Sequence, residues 1–208
     1  MLVCGIVSSV WYVVTDVIGT LRYPGYSYAD QWFSELTAQG APTRPLMIAL
    51  NEIPYNLLVL AFATGVWEES AGRTRAGRIT AAGLAGFAVF GFVTGVFFPM
   101  KTREALAAGE GTLRNAMHPV GTVVMSLFTL LAMSFGATLL GKRFRYYSYG
   151  TIVTLVVFGV LTSLQAGRIT TNEPTPWAGI EERINIYATM LWVAVLAIGL
   201  LRAQAEAR

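Results

Sequence analysis

One histidine and one cysteine are all that this chain of 208 residues holds of the two best transition-metal ligands. Cys4 has no partner for an internal disulfide, and with His118 it falls short of the nitrogen and sulfur set that a zinc site requires. No metal is expected, and no residue pattern points to a cofactor. Charge is scarce as well: 13% of residues are charged, where a soluble domain carries about 25%. The N-terminus lacks the basic leader and small-residue cleavage pattern of a signal peptide, so its apolar stretch reads as a retained helix. Apolar sequence begins at Leu2, which is compatible with a natural start somewhat upstream of Met1. No internal repeat recurs, and this weighs against an inverted-repeat transporter.

What the chain does have is hydrophobic length. Hydrophobic residues make up 54% of it, gathered near 2–21, 46–66, 79–99, 118–140, 149–167 and 184–201. Each stretch is close to the roughly 17–25 residues that a helix needs to cross a bilayer core. Runs such as 84–98 and 120–131 leave almost no polar face, which a buried helix of a soluble protein would need. The expected class is an all-α membrane protein, a single polytopic domain built as a six-transmembrane-helix bundle. Gly91 and Gly95, with Ala82, Gly86 and Gly136, read as close helix contacts.

Basic residues are dense in the short second and fourth connections and in the tail: Arg73, Arg75 and Arg78, then Lys142, Arg143 and Arg145, then Arg202 and Arg208. Positive charge in short loops marks the cytoplasmic side. Arg22, Arg44, Lys101, Arg103, Arg114, Arg168 and Arg183 are spread over the longer first, third and fifth connections, with most of the acids. Both termini are therefore expected in the cytoplasm, with the three long loops outside a cell membrane. The runs GRTRAGR and GKRFRYYS suit anionic lipid, and no nucleic-acid partner is expected. Lys101, Arg103 and Arg114 read as snorkelling anchors or, less commonly, phosphate contacts.

The first long connection has structure of its own. Ser27 three residues before Asp30 resembles a capping start, and Gly40 with Pro42 a stop, so a short amphipathic interfacial helix is expected over 28–39. Tyr28, Ala29, Trp32, Phe33 and Leu36 would share its apolar face, opposite Ser27, Asp30, Gln31, Ser34 and Glu35. It would either seal the bundle or cover a pocket with Asp30, Ser34 and Glu35. Tyr23, Pro24, Gly25 and Tyr26 read as a rigid turn leading into it.

Polar residues within the spans lie near the same end. Asp16 in the first span and Glu52 in the second, with Asn51 and Asn56, come in at comparable depth and are candidates to share a proton or a cation. Arg183, with Tyr187 one turn on, is the best basic partner, and Arg168 beside Gln165 is the second. Pro54 can loosen the backbone beside Glu52. His118, before Pro119, has an imidazole suited to acid–base work near neutral pH. Catalytic candidates are His118, Asp16 and Glu52. A pocket drawn from Asp16, Asp30, Ser34, Glu35, Asn51, Glu52, Asn56, His118, Gln165, Arg168, Arg183 and Tyr187 would suit a membrane lipid or other amphiphilic small molecule. A lipid-modifying enzyme, an assembly partner of a membrane complex, and a proton or cation pathway are the alternatives, and oligomeric state is open.

Four motifs, YPGYSYADQWFSELTAQGAP at 23–42, GVFFP at 95–99, MHPVGT at 117–122 and GIEERINIYA at 179–188, resemble the DUF998 family of bacterial and archaeal six-helix membrane proteins. The resemblance covers nearly the whole chain. It implies the fold and topology and carries no substrate or catalytic assignment.

Overall fold

The computed structural model describes residues 1–70 and 74–207, and every element in it is helical apart from turns and one isolated bridge. Arg73 and Arg208, two of the residues in the charge argument, lie outside the described residues. The chain runs α1 (Val3–Arg22), a 3-10 turn (Phe33–Thr37), α2 (Arg44–Met47), a π-helical segment (Ile48–Glu52) and α3 (Ile53–Ser70). It continues as α4 (Arg75–Phe97), α5 (Arg103–Ala107), α6 (Leu113–Gly136), α7 (Lys142–Leu164), α8 (Ala166–Thr170) and α9 (Ala178–Glu206). Six helical stretches are long and apolar enough to cross a membrane: Val3–Arg22, Arg44–Ser70, Arg75–Phe97, Leu113–Gly136, Lys142–Thr170 and Ala178–Glu206. They coincide with the six expected segments. Several reach beyond the apolar windows, because a helix continues through polar turns that hydropathy does not score. Thr74 and Thr112 begin α4 and α6 by accepting from the N–H groups of Gly77 (3.2 Å) and Asn115 (3.3 Å).

The long helices form a closed circuit in chain order: α1 packs on α3, α3 on α4, α4 on α6, α6 on α7, α7 on α9, and α9 back on α1. One apolar cluster, with Phe62, Val66, Met133, Trp192 and Leu196, fills the circuit towards the short connections. A second, with Tyr12, Phe33, Leu36, Met47, Tyr55 and Met190, fills it towards the long ones. Trp192 is fully buried and donates its indole N–H to Ser148 Oγ at 2.9 Å. Outward-facing valines such as Val10, Val153 and Val160 are more than half exposed, as a lipid-facing surface requires.

The π segment has an identifiable cause. Pro54 has no N–H to donate to the Leu50 carbonyl, so the regular ladder is interrupted there, and Trp11 donates its indole N–H to that oxygen at 2.6 Å. A local defect in one helix thereby pins it to its neighbour.

The helix expected over 28–39 is not formed. The segment is ordered instead as turns followed by the five-residue 3-10 turn Phe33–Thr37. Its backbone groups are taken by distant partners: the carbonyls of Tyr28, Ala29, Asp30 and Gln31 accept from Arg183, the Ile180 N–H, Arg103 with Thr175, and Arg183 respectively. An α-helix needs those same acceptors for its own N–H groups. The expected faces fail with it, since Glu35 is buried beside Phe33 and Leu36. Gly25 (φ +78°) makes the chain reversal expected before this segment, closed by Tyr26 N–H donating to Tyr23 O at 3.2 Å.

The tightest helix crossing lies between α4 and α6. A Cβ at Gly83 would stand 2.9 Å from the Ala132 side chain and from Phe128 O, whereas a Cβ at Gly150 on α7 would meet nothing within 4 Å. Gly83→Leu is expected to lower stability by roughly 1–3 kcal/mol through overpacking, and Gly150→Leu to be near neutral. Thermal unfolding in detergent, followed by size-exclusion chromatography, measures the difference.

Candidate functional site

Asp16 of α1 and Arg183 of α9 meet where those helices cross at the long-loop end, and they are 0% and 2% exposed. Arg183 grips the carboxylate with both edges of its fork, Nε to Oδ2 at 2.9 Å and Nη2 to Oδ1 at 2.9 Å. Its remaining hydrogens go to Tyr26 Oη (2.8 Å) and to the carbonyls of Tyr28 (3.0 Å), Gln31 (3.1 Å) and Gly179 (3.2 Å). A guanidinium has five N–H donors, and all five are used. Tyr187 donates its hydroxyl to Asp16 Oδ2 at 2.5 Å, and the Tyr28 ring lies 3.9 Å beneath the guanidinium carbon. Burial raises the Tyr26 phenol well above its ordinary range, against the opposing pull of Arg183. It stays neutral, and its single hydrogen is shared between the Gln31 and Trp32 carbonyls. This cluster is saturated: nothing in it is left to hold a ligand.

A second cluster fixes the rest of the loop. Arg103 of α5 pairs with Glu35 through Nε at 2.7 Å and Nη2 at 2.6 Å, and also donates to the Asp30 and Glu173 carbonyls, each at 3.3 Å. Glu35 accepts further hydrogen bonds from Gln31 Nε2 (3.0 Å) and Trp32 N (2.9 Å). Glu182 accepts from Phe33 N and from Ser34 Oγ, the latter at 3.1 Å. Asp30 accepts from Ser27 Oγ (2.8 Å) and Trp177 N (3.1 Å), the latter bond holding a non-glycine residue at φ +66°.

Glu52 stands apart from both clusters, and the expected Asp16–Glu52 pair is not formed. Successive helical residues are about 100° apart, so Asn51 and Glu52 cannot both face α1. Asn51 does, donating to Thr15 Oγ1 at 2.5 Å. Glu52 turns towards α4, where a Cβ on Gly95 would lie 2.5 Å from its carboxylate. Asn56, one turn on, donates Nδ2 to the Glu52 backbone carbonyl at 2.6 Å and leaves Oδ1 buried without a partner beside Gly91. Thr94 Oγ1 and Tyr55 OH are likewise buried and unpartnered. Arg44 interacts with Glu52 electrostatically, yet its guanidinium donates to the carbonyls of Thr37, Gly95 and Val96. His118 of α6 gives its Nδ1 hydrogen to Phe98 O at 2.8 Å, which leaves Nε2 as an acceptor.

The remaining candidates are dispersed. Gln165 donates to Glu181 Oε2 at 2.7 Å and to Pro176 O at 3.2 Å, and Arg168 on α8 is exposed. Among the described residues no group of histidine, cysteine and acidic side chains could hold a metal. Asp16, Arg183 and Tyr187 are thus brought together; Asp30, Ser34 and Glu35 sit in the adjoining loop, and Glu52, Asn56 and His118 belong to the α3–α4–α6 side. Sequence reasoning passed over Glu182 and Thr94, took Tyr26 only as a turn residue, and read Arg103 as a snorkelling anchor or, less commonly, a phosphate contact. Only the shortage of buried bases for the loop's acids hinted at Arg103.

These features define a polytopic helical membrane protein whose long loops are folded onto the bundle by buried ion pairs. The chain belongs to the DUF998 family, described as "Protein of unknown function (DUF998)", whose model matches residues 6–199. No curated protein and no solved structure matches it.

Removing one member of the buried pair strands the other. Arg183→Met is expected to destabilise the protein by about 3–5 kcal/mol, and adding Asp16→Leu to recover part of that loss. Thermal unfolding of the two variants in detergent checks the order.

Proposed function

We propose that this protein binds a small amphiphile from the outer leaflet, its polar head entering the seam between α3, α4 and α6 at Glu52. The observation that carries this reading is the contrast between the clusters. Arg183 has spent all its donors on Asp16 and the loop and Glu35 accepts four hydrogen bonds, whereas the seam keeps the Asn56 amide oxygen and the Thr94 hydroxyl without partners near the Glu52 carboxylate. Buried polar atoms are ordinarily paired, so a group of unpaired ones is a place where a ligand's polar atoms gain most. Access is lateral: Glu52 is only partly buried, and its neighbours Ile53 and Leu57 are 41% and 59% exposed on the apolar surface.

The orientation belongs to the same proposal. Lys142, Arg143 and Arg145 lie in the short fourth connection or the first turn of α7, at the end opposite the long loops, which favours a cytoplasmic position for that end. Labelling of Arg75→Cys by an impermeant thiol reagent is expected only after the cells are opened, and labelling of intact cells contradicts it.

Native mass spectrometry of protein extracted in mild detergent tests the binding. Wild type is expected to retain an amphiphile-sized adduct, and Gly95→Leu, which fills the space of the Glu52 carboxylate, to lose it. Retention of the adduct in a folded Gly95→Leu variant overturns the seam as the site.

A further inference from the structure

Resting on that reading, the unpaired atoms also define the chemistry of the head. We infer that the seam takes a protonated primary amine. Glu52 offers a carboxylate, and Asn56 a buried amide oxygen that accepts no hydrogen bond from the protein. Thr94 and Tyr55 bring hydroxyls, which accept as well as donate. Among the described residues no guanidinium or ammonium donates to these atoms: the hydrogen bonds of Arg44 run to three backbone carbonyls. A head that fits must supply its own N–H or O–H groups, and a positive charge offsets the carboxylate in a medium where an unpaired ion is costly.

Other heads fit worse. A phosphate or carboxylate would meet the like charge of Glu52, with no arginine or lysine among the described residues bonded to the unpaired atoms. A bare metal cation needs its oxygens gathered within roughly 2.3–2.6 Å of one point. Among the described residues no three histidine, cysteine or acidic side chains gather to supply such a set. An ammonium brings three divergent N–H groups to the acceptors that are present. Its alkyl chain then leaves past Ile53 and Leu57 into lipid.

The two glycines make this arrangement sterically available. A Cβ at Gly91 would stand 2.8 Å from Asn56 Oδ1, with Met125 Cε of α6 at 3.4 Å, so Gly91 marks the junction of the three helices. Both the Gly91 and Gly95 positions hold polar atoms of the π segment and α3 against α4, beyond the close packing expected of small residues.

The test uses full-length protein in nanodiscs and three photoactivatable alkyl probes of equal length, bearing an amine, an alcohol or a carboxylate head. Labelled peptides are mapped by mass spectrometry. The amine probe is expected to label α3 and α4 saturably, and Glu52→Gln to weaken its half-saturation by at least about tenfold, as loss of a buried charge partner does. The alcohol probe should change much less. Gly91→Ala reaches the same site through Asn56 and is expected to weaken the amine probe without touching the carboxylate, which keeps the test informative if Glu52→Gln fails to fold. Equal, Glu52-independent labelling by the alcohol or carboxylate probe overturns the amine while leaving amphiphile binding in place. Absence of saturable labelling by any probe overturns both.

Discussion

The arrangement of the long-loop end depends on one buried guanidinium. Arg183 neutralises Asp16 inside the bundle and spends its other hydrogens on Tyr26 and on carbonyls of the first connection and of α9. Either ion alone would be prohibitively costly at that depth. Together they let α1 and α9 close the circuit of helices, and they turn a charged pair into an anchor for the loop. Gly179 belongs to the same device. A Cβ there would come within 2.3 Å of Gln31 O and 2.4 Å of Tyr28 O, so the loop backbone lies directly on the start of α9.

Once that loop is anchored, the second ion pair and the third connection follow. Arg103 reaches Glu35 only because the 3-10 turn presents the carboxylate inward, and Gln39 N–H donates to Met100 O at 2.7 Å alongside it. The long connections therefore behave as a packed cap. Arg44 extends the cap to α4 by holding its terminal carbonyls. The unpaired polar atoms beside Glu52 lie below this cap, on the side of the bundle that the saturated pairs do not reach.

The six spans were legible because a bilayer demands length and apolarity of every crossing segment, and little else in a sequence produces both six times. The Asp16–Arg183 pair was legible for a related reason: a deep acid needs a base, and Arg183 begins the neighbouring span. Azimuth was not legible. Depth placed Asp16 and Glu52 together, whereas the helical step from Asn51 to Glu52 turned one towards α1 and the other towards α4. The helix expected over 28–39 failed because its wheel was sound locally while its hydrogen-bonding groups were claimed by Arg183, Arg103 and Glu182, residues far along the chain. Thr94 carried no signal at all; a threonine in a helix ordinarily bonds back to its own turn, and only the fold reveals that this one does not.

Hydrogen–deuterium exchange of the first connection bears most directly on the anchoring role of Arg183. Amides of residues 26–37 are expected to exchange slowly in the wild type and to lose protection in Arg183→Met, while peptides of the α4–α6 crossing keep theirs. Unchanged protection of residues 26–37 in a folded Arg183→Met protein would contradict the claim that this one side chain holds the cap in place.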